Sequence, residues 1–423
     1  MKSEQKKINK QWMAKMDSLT IVNYQGSKKN LLEFIHSNLD EYISNKDVIL
    51  DIFSGTASVA YSYKRTNTVY TNDAESYAAV MAKALLGEKL DLKTVEEVKQ
   101  KYSQYKNPTH EYDKWIRKEK LLVEKKRLND LIELYESIPT VWNTHEKCFG
   151  EKTEYSLFMK YYSTNYLGLA QARDIDAIRW AIEETDTDLK EVLLSCLFFA
   201  IKECVFSKDG HMAQPLDFKK NATRLFRLRE KNLYSLFLTK INDFINDDFV
   251  IGSSENKVFN YNFEELLDRE DELRPVTVIY ADPPYTDMQY SRYYHLLNTV
   301  VEYNYPDMTE IRGSFTKGLY LDNRFQSQLS RKKSCLEAME KLIRFSKKNN
   351  ITLAISFAYP KDVEIQKTDR YVMDIKDLIA VCKRFYSEKY VHIRTQDYEH
   401  SNNRNSATKK VIEYLIICER DGK

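Results

Sequence analysis

The sequence is poor in the residues that metal-binding and disulfide-stabilised proteins depend on. Its 423 residues include 7 histidines, 8 prolines, 10 glycines and 6 cysteines. No two cysteines form a C-x-x-C pair, and no cysteine–histidine group has zinc-finger spacing. We therefore expect neither a metal site nor a disulfide framework, and we infer a reducing, cytoplasmic compartment.

Long apolar runs and an excess of charge of one sign are also absent. The longest apolar stretches, such as residues 193–201, are far shorter than the roughly 20 residues of a membrane span. The Lys-rich N-terminal segment lacks the apolar region of a secretion signal. The 65 basic and 63 acidic residues give a net charge of +2, which excludes a histone-like polycation and an acidic tail. A nucleic-acid binder remains open, because a neutral total can hide a local basic groove.

The patterns that are present indicate an α/β protein. Five short apolar runs rich in β-branched residues predict buried strands, at residues 47–53, 68–71, 276–280, 351–357 and 410–418. Helical patterns lie between them, among them residues 331–348. Strands that alternate with helices predict a doubly wound, mostly parallel sheet.

The middle of the chain has a different character. Residues 91–136, 155–182 and 189–205 have helical spacing, and the first of these stretches is dense in charge and almost free of glycine. We therefore predict a helical insertion at residues 89–248 between two parts of the α/β domain, residues 20–88 and 249–423. A chain of this length amounts to two or three domains at about 150 residues each.

The sharpest chemical signal is Asp282-Pro283-Pro284-Tyr285, directly after the strand at residues 276–280. The prolines fix φ and remove backbone donors, so the loop is stiff. The Asp282 carboxylate and the Pro283 carbonyl are two acceptors, able to hold both hydrogens of an exocyclic amine. Tyr285 offers a flat face on which a base can stack. Open α/β sheets place their ligands at this end of a strand.

With this motif the sequence resembles the D12 type of adenine-N6 DNA methyltransferases, and it is similar to restriction–modification adenine methylases. D-P-P-Y is the catalytic motif of that family. Three other family motifs occur in the family's order: residues 23–28 (NYQGSK), residues 51–59 (DIFSGTASV) and Asn72-Asp73. Residues 162–166 and 210–214 match the middle of the family more loosely.

The resemblance implies a Rossmann-like methyltransferase sheet, S-adenosylmethionine as cofactor, no metal, and double-stranded DNA as substrate. Gly55 lets backbone approach the cofactor, and Asp73, 22 residues after Asp51, accepts from the ribose hydroxyls. Lys28 and the Gly26-Ser27 backbone hold the methionine carboxylate. The full set expected to bind the cofactor is Tyr24, Gly26, Ser27, Lys28, Asp51, Phe53, Ser54, Gly55, Thr56, Asp73 and Asp282.

Three features depart from the family pattern. Ala57 replaces the second glycine of F-x-G-x-G, which we read as adding only a methyl group. The acidic residue expected after a further strand is not evident, since the chain reads Ser253-Ser254-Glu255 there. What holds the adenine amine of the cofactor is therefore open. No target-recognition sequence is recognisable in the middle of the chain.

DNA contacts are expected from a basic run at residues 208–231, which suits phosphates and supplies affinity but no sequence readout. A solvated helix face is an equally good reading of that run. The polar loop at residues 400–405 resembles a late family motif that borders the base pocket. Tyr290, Tyr293, Tyr294 and His295 are expected mostly to pack the helix after the D-P-P-Y loop. The residues predicted to bind DNA are Lys208, His211, Lys219, Lys220, Arg224, Arg292 and Arg404.

Several alternatives stay open at this point. N4-cytosine methylation is disfavoured by Asp282, since serine is more usual there, and methylation of RNA or of protein glutamine more often uses Asn-Pro-Pro-Tyr. A dinucleotide site lacks its G-x-G-x-x-G motif. A catalytically silent, nucleic-acid-binding partner subunit is the rival of another class. We expect a monomer, with a restriction endonuclease or another defence component as a candidate partner.

Overall fold

The computed structural model of the protein describes residues 19–22, 26–107, 110–146, 154–208, 211–246, 255–322, 324–361, 369–400 and 409–422, without the side chains of residues 398–400, 409 and 410. These ranges contain the strands β1 (Val48–Asp51), β2 (Thr68–Asn72), β3 (Lys257–Phe259), β4 (Val276–Ala281), β5 (Glu310–Ile311), β6 (Ser314–Phe315), β7 (Thr352–Pro360), β8 (Val391–His400) and β9 (Lys409–Cys418).

Seven of these strands form one sheet in the order β3-β2-β1-β4-β7-β9-β8, and β5 and β6 form a separate small hairpin. The pairs from β3 to β7 are parallel, whereas β9 lies antiparallel between β7 and β8. The prediction of an α/β, mostly parallel sheet is confirmed, and all five predicted strands are present.

Burial explains which strands the sequence revealed. β1, β4 and β7 are almost wholly buried. Strands that are covered on both faces have nearly continuous apolar sequences. β3 has only three residues. β8 is an edge strand whose residues Thr395, Gln396 and Asp397 are exposed, so its sequence carries no apolar pattern to detect.

In the described residues before 89 and after 254, the α-helices are α1 (Leu32–Leu39), α2 (Ser58–Tyr63), α3 (Ser76–Leu86), α13 (Phe263–Leu267), α14 (Glu270–Leu273), α15 (Tyr290–Tyr293), α16 (His295–Glu302), α17 (Cys335–Lys348) and α18 (Ile375–Phe385). They cover both faces. One buried cluster includes Val278 and the other includes Ile279, neighbours in β4 that point to opposite sides.

Between β2 and β3 the described chain is helical: α4 (Leu92–Gln104), α5 (His110–Glu124), α6 (Leu128–Glu136), α7 (Val141–Thr144), α8 (Leu157–Tyr161), α9 (Leu169–Glu183), α10 (Lys190–Cys204), α11 (Ala222–Arg229) and α12 (Leu233–Ile245). The predicted helical stretch 155–182 is interrupted, because α8 ends at Tyr161 and Thr164 has a φ of +68°. Leu193 of α10 and Val278 of the sheet belong to one buried cluster. Since the two parts share this core, the predicted domain limits stay a prediction.

None of the helices that the structure describes combines the length and the apolar character that a membrane span requires.

Candidate active site

A cleft of about 1010 Å³, counted with its open mouth, lies at the edge of the sheet where β1, β2 and β4 end. Asp51 ends β1, Asp73 follows β2 and Asp282 follows β4, and all three line the cleft. Parallel neighbours bring their carboxyl ends to the same edge, which is where open α/β sheets bind ligands.

The cleft collects nearly all residues that the sequence predicted for catalysis and for the cofactor. Tyr24 lies outside the described residues. Their roles in binding and catalysis stay predictions. The predicted residues that line the cleft are Gly26, Ser27, Lys28, Asp51, Phe53, Ser54, Gly55, Thr56, Asp73, Asp282, Pro283, Pro284 and Tyr285.

Asp73 connects the loop from β1 to α2 with the segment that follows β2. Its Oδ2 accepts from the Gly55 backbone N–H at 2.9 Å, and its Oδ1 accepts from the Glu75 N–H at 3.0 Å. Gly55 has a φ of +48°. Ala57 has a φ of +53°, so the expectation that its methyl group changes little was incomplete. A non-glycine residue in this left-handed region costs about 1 kcal/mol or more of backbone strain.

The loop after β3 also lines the cleft, which the sequence did not reveal. Tyr261, Asn262 and Phe263 face it, and the Phe263 ring lies 5.5 Å from that of Phe53 in an edge-to-face contact. The Asn262 Oδ1 is buried and has no hydrogen-bond partner among the described residues. Asn262 is thus a cleft-lining residue whose side-chain oxygen has no donor in the described part of the chain.

Glu255 cannot be the acidic residue expected after this strand, because Glu255 precedes β3 and does not follow it. Glu255 Oε2 accepts from Thr68 Oγ1, at the first residue of the parallel neighbour β2. Glu255 thus lies at the opposite edge of the sheet from the cleft, and Ser253 and Ser254 lie outside the described residues. The sequence feature that could have indicated the loop at Asn262 is a three-residue strand followed by Asn-Tyr-Asn-Phe.

The D-P-P-Y loop is anchored by an ion pair and by aromatic contacts. Lys28 Nζ lies 3.1 Å from Asp282 Oδ1 and 5.4 Å from the centre of the Tyr285 ring. The Tyr285 ring meets Phe357 edge to face at 5.9 Å. Gly26 has a φ of +90°, and a Cβ there would lie 3.3 Å from the Tyr285 hydroxyl, so glycine suits both the turn and the close approach.

The electrostatics of the cleft favour a cationic ligand. Burial raises the pKa of Asp51 to about 8, that of Glu75 to about 8 and that of Asp282 to about 7, and it also raises the pKa of Asp73. A buried carboxyl group with a raised pKa regains its charge when a cation binds beside it. Among the described residues that line it, the cleft therefore has four carboxyl groups and one lysine, Lys28.

The aromatic residues after the loop divide as expected between packing and lining. Tyr294 and His295 are fully buried, and His295 Nε2 lies 3.0 Å from the Met212 carbonyl oxygen. Burial lowers the pKa of His295 to about 3, so it is a neutral core residue at ordinary pH. Tyr290 lines the cleft, whereas Tyr293 packs edge to face on His211.

Six of the predicted DNA contacts can be placed, and none of these six lines the cleft: Lys208, His211, Lys219, Lys220, Arg224 and Arg292. Arg404 lies outside the described residues. Lys219 and Lys220 are exposed, but Arg224 donates to the Ser207 carbonyl at 2.7 Å. Arg229, part of the same basic run, is buried and donates to Tyr135 and to the Asn165 carbonyl, so counting it among phosphate contacts was wrong.

The fold and the cleft together define an α/β protein with a ligand site at the carboxyl edge of its sheet and a D-P-P-Y loop beside it. The chain belongs to the D12 class N6 adenine-specific DNA methyltransferase family, whose model matches residues 24–312.

The chain is also similar, at low sequence identity, to three bacterial proteins that are named as methylases or methyltransferases. The chain is 23% identical over 406 residues to the modification methylase LlaI of Lactococcus lactis subsp. lactis, and 25% identical over 412 residues to the modification methylase StsI of Streptococcus sanguinis. Both matches cover 94% of this chain but 54% and 52% of the relative, so the chain spans about half the length of these two proteins. It is 24% identical to the type II methyltransferase M.NlaIII of Neisseria lactamica, with 94% of this chain and 99% of that protein covered.

Proposed function

We propose that the protein transfers the methyl group of S-adenosylmethionine to N6 of an adenine flipped out of double-stranded DNA at a specific sequence. One observation carries the proposal: a single acidic cleft joins the Asp73 loop to the Asp282 loop. Such a cleft can hold a cationic methyl donor and the acceptor amine side by side. Family membership and the names of the relatives support the same reaction.

The residues present fit the cofactor. Each Asp73 oxygen already accepts one backbone N–H and retains a lone pair for a ribose hydroxyl. Phe53 and Phe263 form an apolar wall suited to the adenine, and Asn262 Oδ1 supplies the acceptor for its amine. Asp51 and Glu75 suit the ammonium group of the methionine part. When bound, the cofactor supplies an activated methyl group on a sulfonium.

The chain's own residues then position the target amine. The adenine must leave the duplex to reach the cleft. Asp282 and the Pro283 carbonyl accept from N6 and turn its lone pair away from the ring, toward the methyl group, while Tyr285 stacks on the base. The remaining contribution is in-line alignment, and no covalent intermediate is required.

Lys28 was predicted to hold the methionine carboxylate, and its geometry favours another role. Its ammonium contacts Asp282 and, at 2.8 Å, Glu413. Two carboxylates on one buried ammonium leave it poorly suited to a third. We therefore assign the methionine carboxylate to the backbone at Gly26 and Ser27.

The Asn262 assignment gives a test of cofactor recognition. Replacing Asn262 with alanine is expected to weaken S-adenosylmethionine binding by about tenfold, the worth of one hydrogen bond to an amine. Calorimetry on the purified protein measures this. Asn262→Asp keeps an acceptor oxygen and is expected to stay within about threefold of the unaltered protein. Equal binding by the alanine variant would remove Asn262 from the cofactor site.

The DNA surface is proposed to include Lys219 and Lys220. The segment before them is tied to the catalytic side, since the Met212 N–H donates to the Tyr293 carbonyl at 2.6 Å. Replacing both lysines with glutamine is expected to lower DNA affinity and to reduce the slope of log K against log salt by about 2. Fluorescence anisotropy across a salt series measures both quantities.

A matched control is Lys347→Gln with Lys348→Gln. This adjacent pair ends α17 next to the start of β7, at the edge of the sheet opposite the cleft. We expect the control to leave the salt slope unchanged. An equal change in both double variants would mean that only the net charge matters, and no change in either would remove Lys219 and Lys220 from the interface.

The rival functions differ in what the protein does with labelled cofactor. The alternative of a silent partner subunit loses support because Asn262 is a candidate acceptor for the cofactor adenine. Incubation of the protein with tritium-labelled S-adenosylmethionine and unmethylated genomic DNA is expected to place label on the DNA. Cofactor binding without methyl transfer, or no cofactor binding either with or without DNA, would favour a partner subunit.

We also propose a cognate restriction endonuclease as partner and a monomeric state. Co-purification tests the partner, and light scattering tests the monomeric state.

A further inference from the structure

One buried charged residue in contact with the cleft-lining Lys28 belongs to no motif identified in the sequence. Glu413 stands in the middle of β9, paired with Ala358 of β7 and Gln396 of β8. Its side chain is 2% exposed. Period-two alternation places it on the same face as Leu415 and Ile417, which are core residues. Burying a carboxylate in such a position costs several kcal/mol unless it is paired and hydrogen-bonded.

The ion pair between Glu413 and Lys28 connects Glu413 to the D-P-P-Y loop. Its Oε1 lies 2.8 Å from Lys28 Nζ and accepts a hydrogen bond from Ser356 of β7. The same Lys28 Nζ lies 3.1 Å from Asp282 Oδ1. The chain Ser356–Glu413–Lys28–Asp282 thus connects two central strands to the carboxylate at the cleft. The Asp282 Oδ1 atom is buried, and so are the side chains of the other three residues, so water competes weakly for these contacts.

We propose that Glu413 is a positioning residue for methyl transfer, which holds the Lys28 ammonium against Asp282 and so fixes the orientation of the carboxylate that receives the target amine; its own negative charge also acts on that carboxylate. This inference rests on the proposed function. Glu413 itself touches neither substrate nor cofactor; it acts through Lys28.

The charges of the group support this role. Burial alone would lower the pKa of Lys28, but the carboxylates of Asp282 and Glu413 raise it well above its usual value, so the lysine stays charged. The pKa of Asp282 is raised to about 7 by burial, lowered by Lys28 and raised by Glu413. Asp282 in turn raises the pKa of four titratable groups that face it: Asp51 of β1, Tyr280 of β4, Tyr285 of the loop and Tyr290 of α15.

These contributions give the direction in which the pH dependence of methyl transfer should change when Glu413 is replaced. Activity requires the ionised Asp282 carboxylate, so kcat/KM should rise with pH through an acid limb near the pKa of Asp282 in the free enzyme. Removing the negative charge of Glu413 removes a contribution that raises this pKa. The acid limb should therefore move to lower pH, while kcat falls because Lys28 loses one of its two anchors.

The test compares the unaltered protein with Glu413→Gln, which keeps the shape and removes the charge. Methyl transfer to genomic DNA is measured from about pH 5 to pH 9. We expect the acid limb of kcat/KM to shift down by about one pH unit and the plateau kcat to fall about tenfold. Ser356→Ala is the matched control: it keeps the Glu413 charge, so its acid limb should stay in place.

Glu413→Asp keeps the charge and shortens the side chain by one methylene group. This variant tests the proposal if the glutamine variant does not fold. Its acid limb should not move to lower pH, because the negative charge is retained, while its kcat falls about tenfold because Lys28 is held less closely against Asp282. An unchanged kcat in the aspartate variant, or a lower kcat with an unshifted acid limb in the glutamine variant, overturns the proposal. Failure of the unaltered protein to methylate DNA would instead refute the proposed function, whatever the variants do.

Discussion

Replacing Asp282 with alanine is expected to abolish methyl transfer and to leave cofactor binding in place. The carboxylate is one of two acceptors proposed for the target amine, and it lies at the end of a buried ion-pair chain. Loss of such a buried charged acceptor costs roughly 4 kcal/mol or more in the transition state, which is a rate loss of at least about 10³-fold. Label transfer to DNA under saturating cofactor measures the rate.

Calorimetry separates this effect from a collapse of the site. The cofactor contacts at Asp73, Phe53 and Asn262 are untouched, so S-adenosylmethionine should bind the alanine variant within about tenfold of its normal affinity. Asp282→Asn keeps the volume and one acceptor oxygen and should retain slightly more activity. A variant without the carboxylate that methylates DNA at an undiminished rate would refute the catalytic assignment.

Replacing Asp73 with alanine is expected to have the second largest effect, on cofactor affinity. Asp73 both receives the ribose in our proposal and shapes the loop through the Gly55 and Glu75 N–H groups. Losing these contacts together should weaken S-adenosylmethionine binding at least about 100-fold, since hydrogen bonds to a charged acceptor are worth roughly 1.5–3 kcal/mol each. Calorimetry over a range of cofactor concentrations measures the change.

Asp47→Ala is the matched control for Asp73. Asp47 also accepts a backbone N–H, from Ser44 at 2.7 Å, and it contacts Arg420. It precedes β1 and so lies at the opposite edge of the sheet. We expect this control to lower the free energy of unfolding while cofactor affinity stays normal. If Asp73→Ala also lost stability but bound the cofactor normally, Asp73 would be a structural residue only.

The sequence predicted the sheet and the place of the cleft well, because both depend on local patterns. Buried parallel strands are apolar runs, and β1 and β4 each end at a recognisable polar motif. The family resemblance, carried by those motifs, is confirmed by the family match over residues 24–312. Position at the end of a strand was enough to bring Asp51, Asp73 and Asp282 to one edge.

What the sequence could not predict depends on distant pairing or on backbone angle. Glu413 is a single glutamate in an apolar strand, and only the fold places it beside Lys28, 385 residues away in the chain. Asn262, our proposed acceptor for the cofactor adenine, follows a strand of three residues, which is too short to recognise in the sequence. The cost of Ala57 depends on its positive φ, which the composition of the loop does not disclose.

Nucleoside mass spectrometry of DNA treated with the protein and S-adenosylmethionine tests the central claim most directly. We expect N6-methyladenine, formed in the presence of the protein and absent with Asp282→Ala. N4-methylcytosine would keep the cleft and the methyl donor but contradict the adenine assignment. Neither base, from a protein that binds the cofactor and DNA, would contradict the claim that this cleft methylates DNA.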